Sequence, residues 1–186
     1  MQTTNQNGRS MVEMLGVLTI IGVLTVGGLG VVGKARQQYM ISQALSEASN
    51  LIASARKMSC DYDDAYESYT NMLYQSQEYP DGVIPQTTDG KATSFTLTSD
   101  IDFKIDAVGS DKFKVTLSNI PEDACVALTS ADWGSQRFNG YQGASIGGKN
   151  SAGDKTIDLD TATDACSAEG EIKLVLTYGA CVRGGE

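Results

Sequence analysis

Residues 14–33 run for 20 positions without a charged side chain. A helix rises 1.5 Å per residue, so about 20 apolar residues traverse the hydrocarbon layer of a bilayer. A secretory signal peptide has a shorter apolar core, about 7–15 residues, with a basic segment before it and a small-x-small cleavage site after it. Here the leading segment MQTTNQNG has no Lys or Arg, and an amphipathic stretch follows in place of a cleavage site. The block therefore reads as a membrane-spanning helix, and the remainder as a soluble head anchored by it.

The helix is expected to continue past the block. In KARQQYMISQALSEASNLIASARKM, apolar residues fall at Ile41, Ala44, Leu45, Ala48, Leu51, Ile52, Ala55 and Met58. That three-four spacing gives one apolar face, suited to lying on a sheet. No Gly or Pro interrupts it, and Lys34, Arg36, Glu47, Arg56 and Lys57 are expected to face outward. The two halves make one rod of about 49 residues, on the order of 70 Å long. A single apolar run of this length is short for a coiled-coil stalk. Gly22, Gly27, Gly28, Gly30 and Gly33 thin out the end of the greasy half; each weakens a helix by about 1 kcal/mol relative to alanine. No strict GxxxG pair marks a dimer face.

In the rest of the chain, residues 61–90 hold Tyr, Asp and two prolines, and read as a short helix over 65–75 and a connecting loop. Alternating and β-branched runs predict strands over 94–98, 101–107, 112–117 and 171–177, with GSDK turning between the second and third. Ser118 or Asn119 ahead of Pro121, Glu122 and Asp123 reads as a helix start, with Cys125, Val126 and Leu128 facing inward. A second helix is expected over 160–168. After Trp133 and Gly134 the chain reads as loop, with NGYQGASIGG at 139–148.

Several chemistries are excluded. The chain has no histidine, which removes the commonest general base and any Ser-His or Cys-His pair. The net charge of −9 argues against nucleic acid, which needs a basic stripe. Asp61, Asp63 and Asp64 lack the glycine and distal glutamate of a calcium loop. Asp154, Asp158, Asp160 and Asp164 read as a solvated face. GASIGGK lacks the GxxxxGK[ST] spacing of a phosphate loop. No catalytic residue, metal or cofactor is expected. Cys60, Cys125, Cys166 and Cys181 lack CxxC spacing, and all follow the apolar block. They share one compartment, where an even count favours two disulfides, among three possible pairings.

Glu13 opens the apolar run, where an unpaired carboxylate is costly. A new amine made by cutting after Gly8 would lie four residues before it. This arrangement resembles the type IV prepilins: a short leader ending in Gly, a new N-terminal residue, then Glu at the fifth mature position inside a long apolar helix. Gly8, Arg9 and Glu13 fill those places, although Arg9 stands where Phe or Met is usual. The resemblance implies cleavage after Gly8 by a prepilin peptidase, methylation of the new amine, and assembly into a helical homopolymer by inner-membrane machinery. In that polymer Glu13 neutralises the amine of an adjacent subunit. It also implies a stretch near Gly27, Gly28 and Gly30 that unwinds in the filament.

The run FKVTLSNIPEDACVAL, a later NG, and ATDACSAEGEIKLVLT are similar to type IVb pilins, the toxin-coregulated, bundle-forming and conjugative thin pilin group. This implies an α+β pilin fold, a long helix on an antiparallel sheet with a disulfide-bounded C-terminal region. It implies Cys125–Cys166, leaving Cys60–Cys181, each bridge contributing about 2–4 kcal/mol to a head with a small sheet and long loops. The tyrosines of residues 61–90 suit packing between subunits. The expected parts are a leader (1–8), a transmembrane and assembly half-helix (9–33), an amphipathic half-helix (34–59) and a head (60–186). The expected places are the inner membrane, then an extracellular pilus. Adhesion, conjugation, aggregation, DNA uptake and twitching all use such subunits. Two alternatives stand beside this: a minor pilin or type II secretion pseudopilin, and a membrane-tethered binding or catalytic domain.

Overall fold

The computed structural model describes residues 11–61, 68–109, 111–134, 140–151, 155–168 and 170–180; for 11–32 and 61 it describes the backbone only. Two compact units divide the chain, Met1–Gln38 and Tyr39–Glu186. Helix α1 (Met11–Asp61) begins in the first and ends in the second, unbroken at Gly27, Gly28 and Gly30. Among the described residues no helix is long and apolar enough to cross a membrane. The run 14–33, expected to do so, has almost all its side chains outside them.

The second unit carries α2 (Tyr69–Ser76), β1 (Ile84–Thr88), β2 (Lys91–Thr96), β3 (Asp102–Val108), β4 (Lys112–Ser118), α3 (Glu122–Thr129), β5 (Tyr141–Ile146), β6 (Lys149–Asn150), α4 (Leu159–Cys166) and β7 (Leu174–Gly179). The strands form one antiparallel sheet in the order β1-β2-β3-β4-β7-β5-β6. Side chains alternate across a strand, so one face collects the apolar set. The register stacks them in rows: Phe103, Leu117, Leu174 and Ile146; Ile105, Val115, Leu176 and Ala144; Ala107, Phe113, Tyr178 and Tyr141. Phe95 extends the first row from β2. The opposite face carries Lys104, Asp106, Lys114, Thr116 and Thr177, none of them buried.

Helix α1 closes the apolar face. Its Ala44, Ala48, Leu51, Ile52, Ala55 and Met58 are buried in the same cluster as the sheet rows, on the stripe that the spacing predicts. Helix α2 is capped by Ser68, whose side chain accepts from the Asn71 amide. The buried Thr70 hydroxyl donates to the Ile105 carbonyl at 3.0 Å and accepts from the Ile105 amide at 2.8 Å, docking α2 on β3.

Several expectations fail here. The sheet is not small: β1, β5 and β6 lie in segments read as loop. In β5 the register shifts between Tyr141 and Gly143, and in β1 between Gln86 and Thr87. These irregularities break the alternation a strand is recognised by. The short helix is Tyr69–Ser76; the start of the expected range lies outside the described residues. Helix α3 is preceded by Pro121 without a side-chain cap. Asn119 instead adopts φ +55° and donates its side-chain amide to the Asp100 carbonyl. Cys125 and Leu128 are buried, but Val126 only partly. Tyr69 packs inside its own head, 5.6 Å from Phe113 between ring centres; Tyr62 and Tyr66 lie outside the described residues.

The largest correction is Glu47. It does not face outward but is 6% exposed, between Ala44 and Ala48 on the core stripe. Its carboxylate accepts from the Thr98 amide at 2.9 Å, the Thr98 hydroxyl at 2.5 Å and the Gln43 side-chain amide at 3.0 Å. Thr98 sits in the turn between β2 and β3, so the contact pins that turn to α1. Glu47→Ala removes the acceptor of both Thr98 bonds. We expect it to cost about 1–3 kcal/mol, read as a lower midpoint of thermal unfolding by circular dichroism; an unchanged midpoint refutes the pin.

Candidate assembly determinants and the disulfide-bounded region

Two kinds of site are expected: an assembly end and a stapled head. Of the first, Gly8 and Arg9 lie outside the described residues. Glu13 occupies the first turn of α1, where the helix dipole favours an anion; its side chain lies outside the described residues. Gly27, Gly28 and Gly30 are helical.

Of the stapled region, residues 125–134, 140–151 and 155–166 are described. Cys125 on α3 and Cys166 at the end of α4 form a disulfide with Cα atoms 5.9 Å apart, closing 41 residues of sequence. Between them the chain builds the β5–β6 hairpin and α4; β7 follows Cys166 and is inserted between β4 and β5. Thr129, fully buried, sets its hydroxyl 3.9 Å from one sulfur and 3.8 Å from the other. The Trp133 indole donates to the Leu128 carbonyl, and the Tyr178 hydroxyl to the Trp133 carbonyl, joining α3 to β7. Burial, with the neighbouring Tyr141, holds the Tyr178 phenol far above its usual value, so it stays a donor at physiological pH. Cys60 at the end of α1 is also disulfide-bonded; Cys181 lies outside the described residues.

The acidic run is largely local architecture. Asp158 caps α4, accepting from the Thr161 amide at 2.9 Å and its hydroxyl at 2.8 Å. Those bonds hold its carboxyl below the usual range. Asp164 pairs with Lys149, which likewise lowers its pKa and ties β6 to α4. Asp160 is exposed; Asp154 lies outside the described residues. GASIGGK is the β5–β6 hairpin, its turn formed by Gly147 at φ +54° and Gly148 at φ +78°. A strand follows it where a phosphate loop has a helix.

Arg56, which the sequence predicts to face outward, does so only in part. It is half-buried, and its guanidinium lies against Gly140, where a Cβ would come within 2.9 Å of it. Gly140 has φ +131° and its carbonyl accepts from the Gly179 amide at 2.6 Å. The NG dipeptide was the available signal, but it does not reveal what lies over the glycine. A cavity of about 420 Å³ opens beside the disulfide, with Glu122 and Glu171 among its lining residues; Glu171 pairs with Lys173. Among the described residues no group of three or more Cys, Asp or Glu is placed to hold a metal ion.

A family model described as PilS N terminal matches residues 39–179, most of the chain. The chain belongs to the PilS family of type IVb pilins. Pilins are extracellular pilus subunits, structural proteins and not enzymes, so the tethered catalytic or ligand-binding domain gives way to a filament subunit. The crystal structure of the type IVb pilin from Salmonella typhi superposes with a TM-score of 0.52 at 22% identity, over 70% of this chain and 95% of that one. That likeness is one of fold. The solution structure of the type IVb pilin PilS from Salmonella typhi gives 0.45 at 21% identity, over 75% and 96%. No curated protein matches the chain.

Replacing Cys125 and Cys166 of the pilin together by Ala is expected to cost about 2–4 kcal/mol, measured by denaturant unfolding. The Asp158 cap carries a pH signature. Its folded pKa lies below the ordinary aspartate value, so its contribution is present above that value and is lost as pH falls through the folded pKa. Thermal midpoints of the pilin and its Asp158→Ala variant are therefore expected to differ at pH 6 and to converge in acid.

Proposed function

We propose that this pilin is cut after Gly8 by a prepilin peptidase and polymerises through its apolar N-terminal helix into a type IVb pilus. The observation that carries the reading is the juxtaposition of a pilin head with the Gly8–Arg9–Glu13 spacing ahead of an uncharged run. Before assembly, that run sits in the inner membrane. On assembly it exchanges lipid for neighbouring helices, and the Glu13 carboxylate meets the Arg9 amine of another subunit. Two opposite charges that enter a nonpolar bundle together offset a cost that either alone could not, since an unpaired buried charge loses several kcal/mol. Gly27, Gly28 and Gly30 supply the stretch where the packed helix unwinds. In the head, Cys125 and Cys166 are committed to each other, so Cys181 is the proposed partner of Cys60, tying the end of α1 to the tail.

The N-terminal mass of pilin sheared from cells tests processing: a chain beginning at Arg9, with or without an added methyl group, is expected, and an intact Met1 end overturns the reading. Glu13→Val is expected to abolish sheared filaments while the head keeps its Cys125–Cys166 bridge. Normal filaments from that variant dispose of the charge-pairing mechanism.

A further inference from the structure

We propose that Arg56 is a docking cation for a second copy of the pilin, and that its partner there is the Asp160 carboxylate on α4. The inference rests on the filament reading and names two surfaces that meet in it.

Arg56 is held in place by an unusual arrangement. Its guanidinium lies against the Gly140 backbone, at a position with no room for a Cβ and a φ of +131° that L side chains rarely adopt. Gly140 is itself bonded to the Gly179 amide at the end of β7. Yet among the described residues the guanidinium has no ion-pair or hydrogen-bond partner, whereas the adjacent Lys57 pairs with Glu78. A half-buried guanidinium keeps five donors in a rigid fork, and its best complement is a carboxylate that accepts two of them.

Helix α4 offers that complement. Of its acids, Asp158 is used by Thr161 and Asp164 by Lys149. Asp160 is exposed and unpaired among the described residues. Beside it Leu159 is 62% exposed, one of three large apolar side chains so placed among the described residues. The Asp160 carboxylate is thus free to accept a guanidinium fork from outside the chain.

Charge points to a second copy. The chain carries −9 overall, yet residues 34–60 hold Lys34, Arg36, Arg56 and Lys57 against the single, buried Glu47. A cationic helix segment and an acidic head surface on one chain attract their counterparts on another copy. Joining α1 of one copy to α4 of the next is a heterologous contact, and repeated heterologous contacts build open filaments and not closed dimers.

The experiment uses the full chain in piliated cells. Filaments are sheared, quantified and imaged for Arg56→Glu, Asp160→Arg and the double reversal, with the folded pool checked by the non-reducing mobility of the subunit. Each single reversal is expected to reduce sheared pilin on the order of tenfold or more, as for truncating a desolvated interfacial charge pair. The double reversal is expected to restore most of it, and Arg56→Lys, which keeps charge without the fork, to fall between. Wild-type yields from the single reversals overturn the pairing, as does a double reversal without recovery. A folded pool lost in Arg56→Glu alone places the partner inside the chain and also overturns it. Absence of filaments from the wild-type chain sinks the polymer reading itself, a separate result.

Discussion

The contact between α1 and the sheet is made on the helix side by three alanines together with Leu51, Ile52 and Met58. Ala44, Ala48 and Ala55 are fully buried, and alanine gives up no side-chain freedom when it packs. The sheet supplies the bulk, through Phe95, Phe103, Phe113 and Tyr178. Apolar burial is non-directional, so by itself it distinguishes poorly between settings along the axis. Glu47 removes that degeneracy: its carboxylate is satisfied only where the Thr98 amide and hydroxyl meet it. One turn of sliding would take that buried carboxylate away from both Thr98 donors and leave it with Gln43 of its own helix alone, a net cost. The head's geometry relative to its helix is thus set by a polar contact inside an apolar seam.

How much of this was legible in the sequence follows the periodicities. The α1 stripe, β2, β3, β4 and β7 announce themselves through clean three-four or two-residue repeats, and the Cys125–Cys166 bridge through family resemblance. Glu47 was misread because a charge in a stripe of small residues reads as solvated unless its donors are known, and they lie 51 residues away. β5 was hidden by Gly143 and a register shift, β1 by Pro85 and another. Arg56 is visible as a residue, but its burial depends on Gly140, 84 positions on, and on the close approach that glycine allows. Non-local partners, not weak local signals, separate what was read from what was missed.

The disulfide-bounded region shows how a chain without histidine spends its carboxylates. Asp158 caps a helix, Asp164 clamps a hairpin, and Glu171 pairs two residues away with Lys173. Each lies on the surface, where such bonds are individually weak. The loss of conformational freedom they oppose is also met by the bridge between α3 and α4, which constrains the unfolded chain before any of them forms.

The place of β7 has a consequence for biogenesis. It follows every other strand in the chain, yet lies between β4 and β5. Until it arrives, the β5–β6 hairpin has no neighbour in the sheet and β4 keeps an open edge. A head synthesised N-terminus first therefore stays in two pieces until its last strand emerges. Completion then comes as a single keystone event that closes both edges at once.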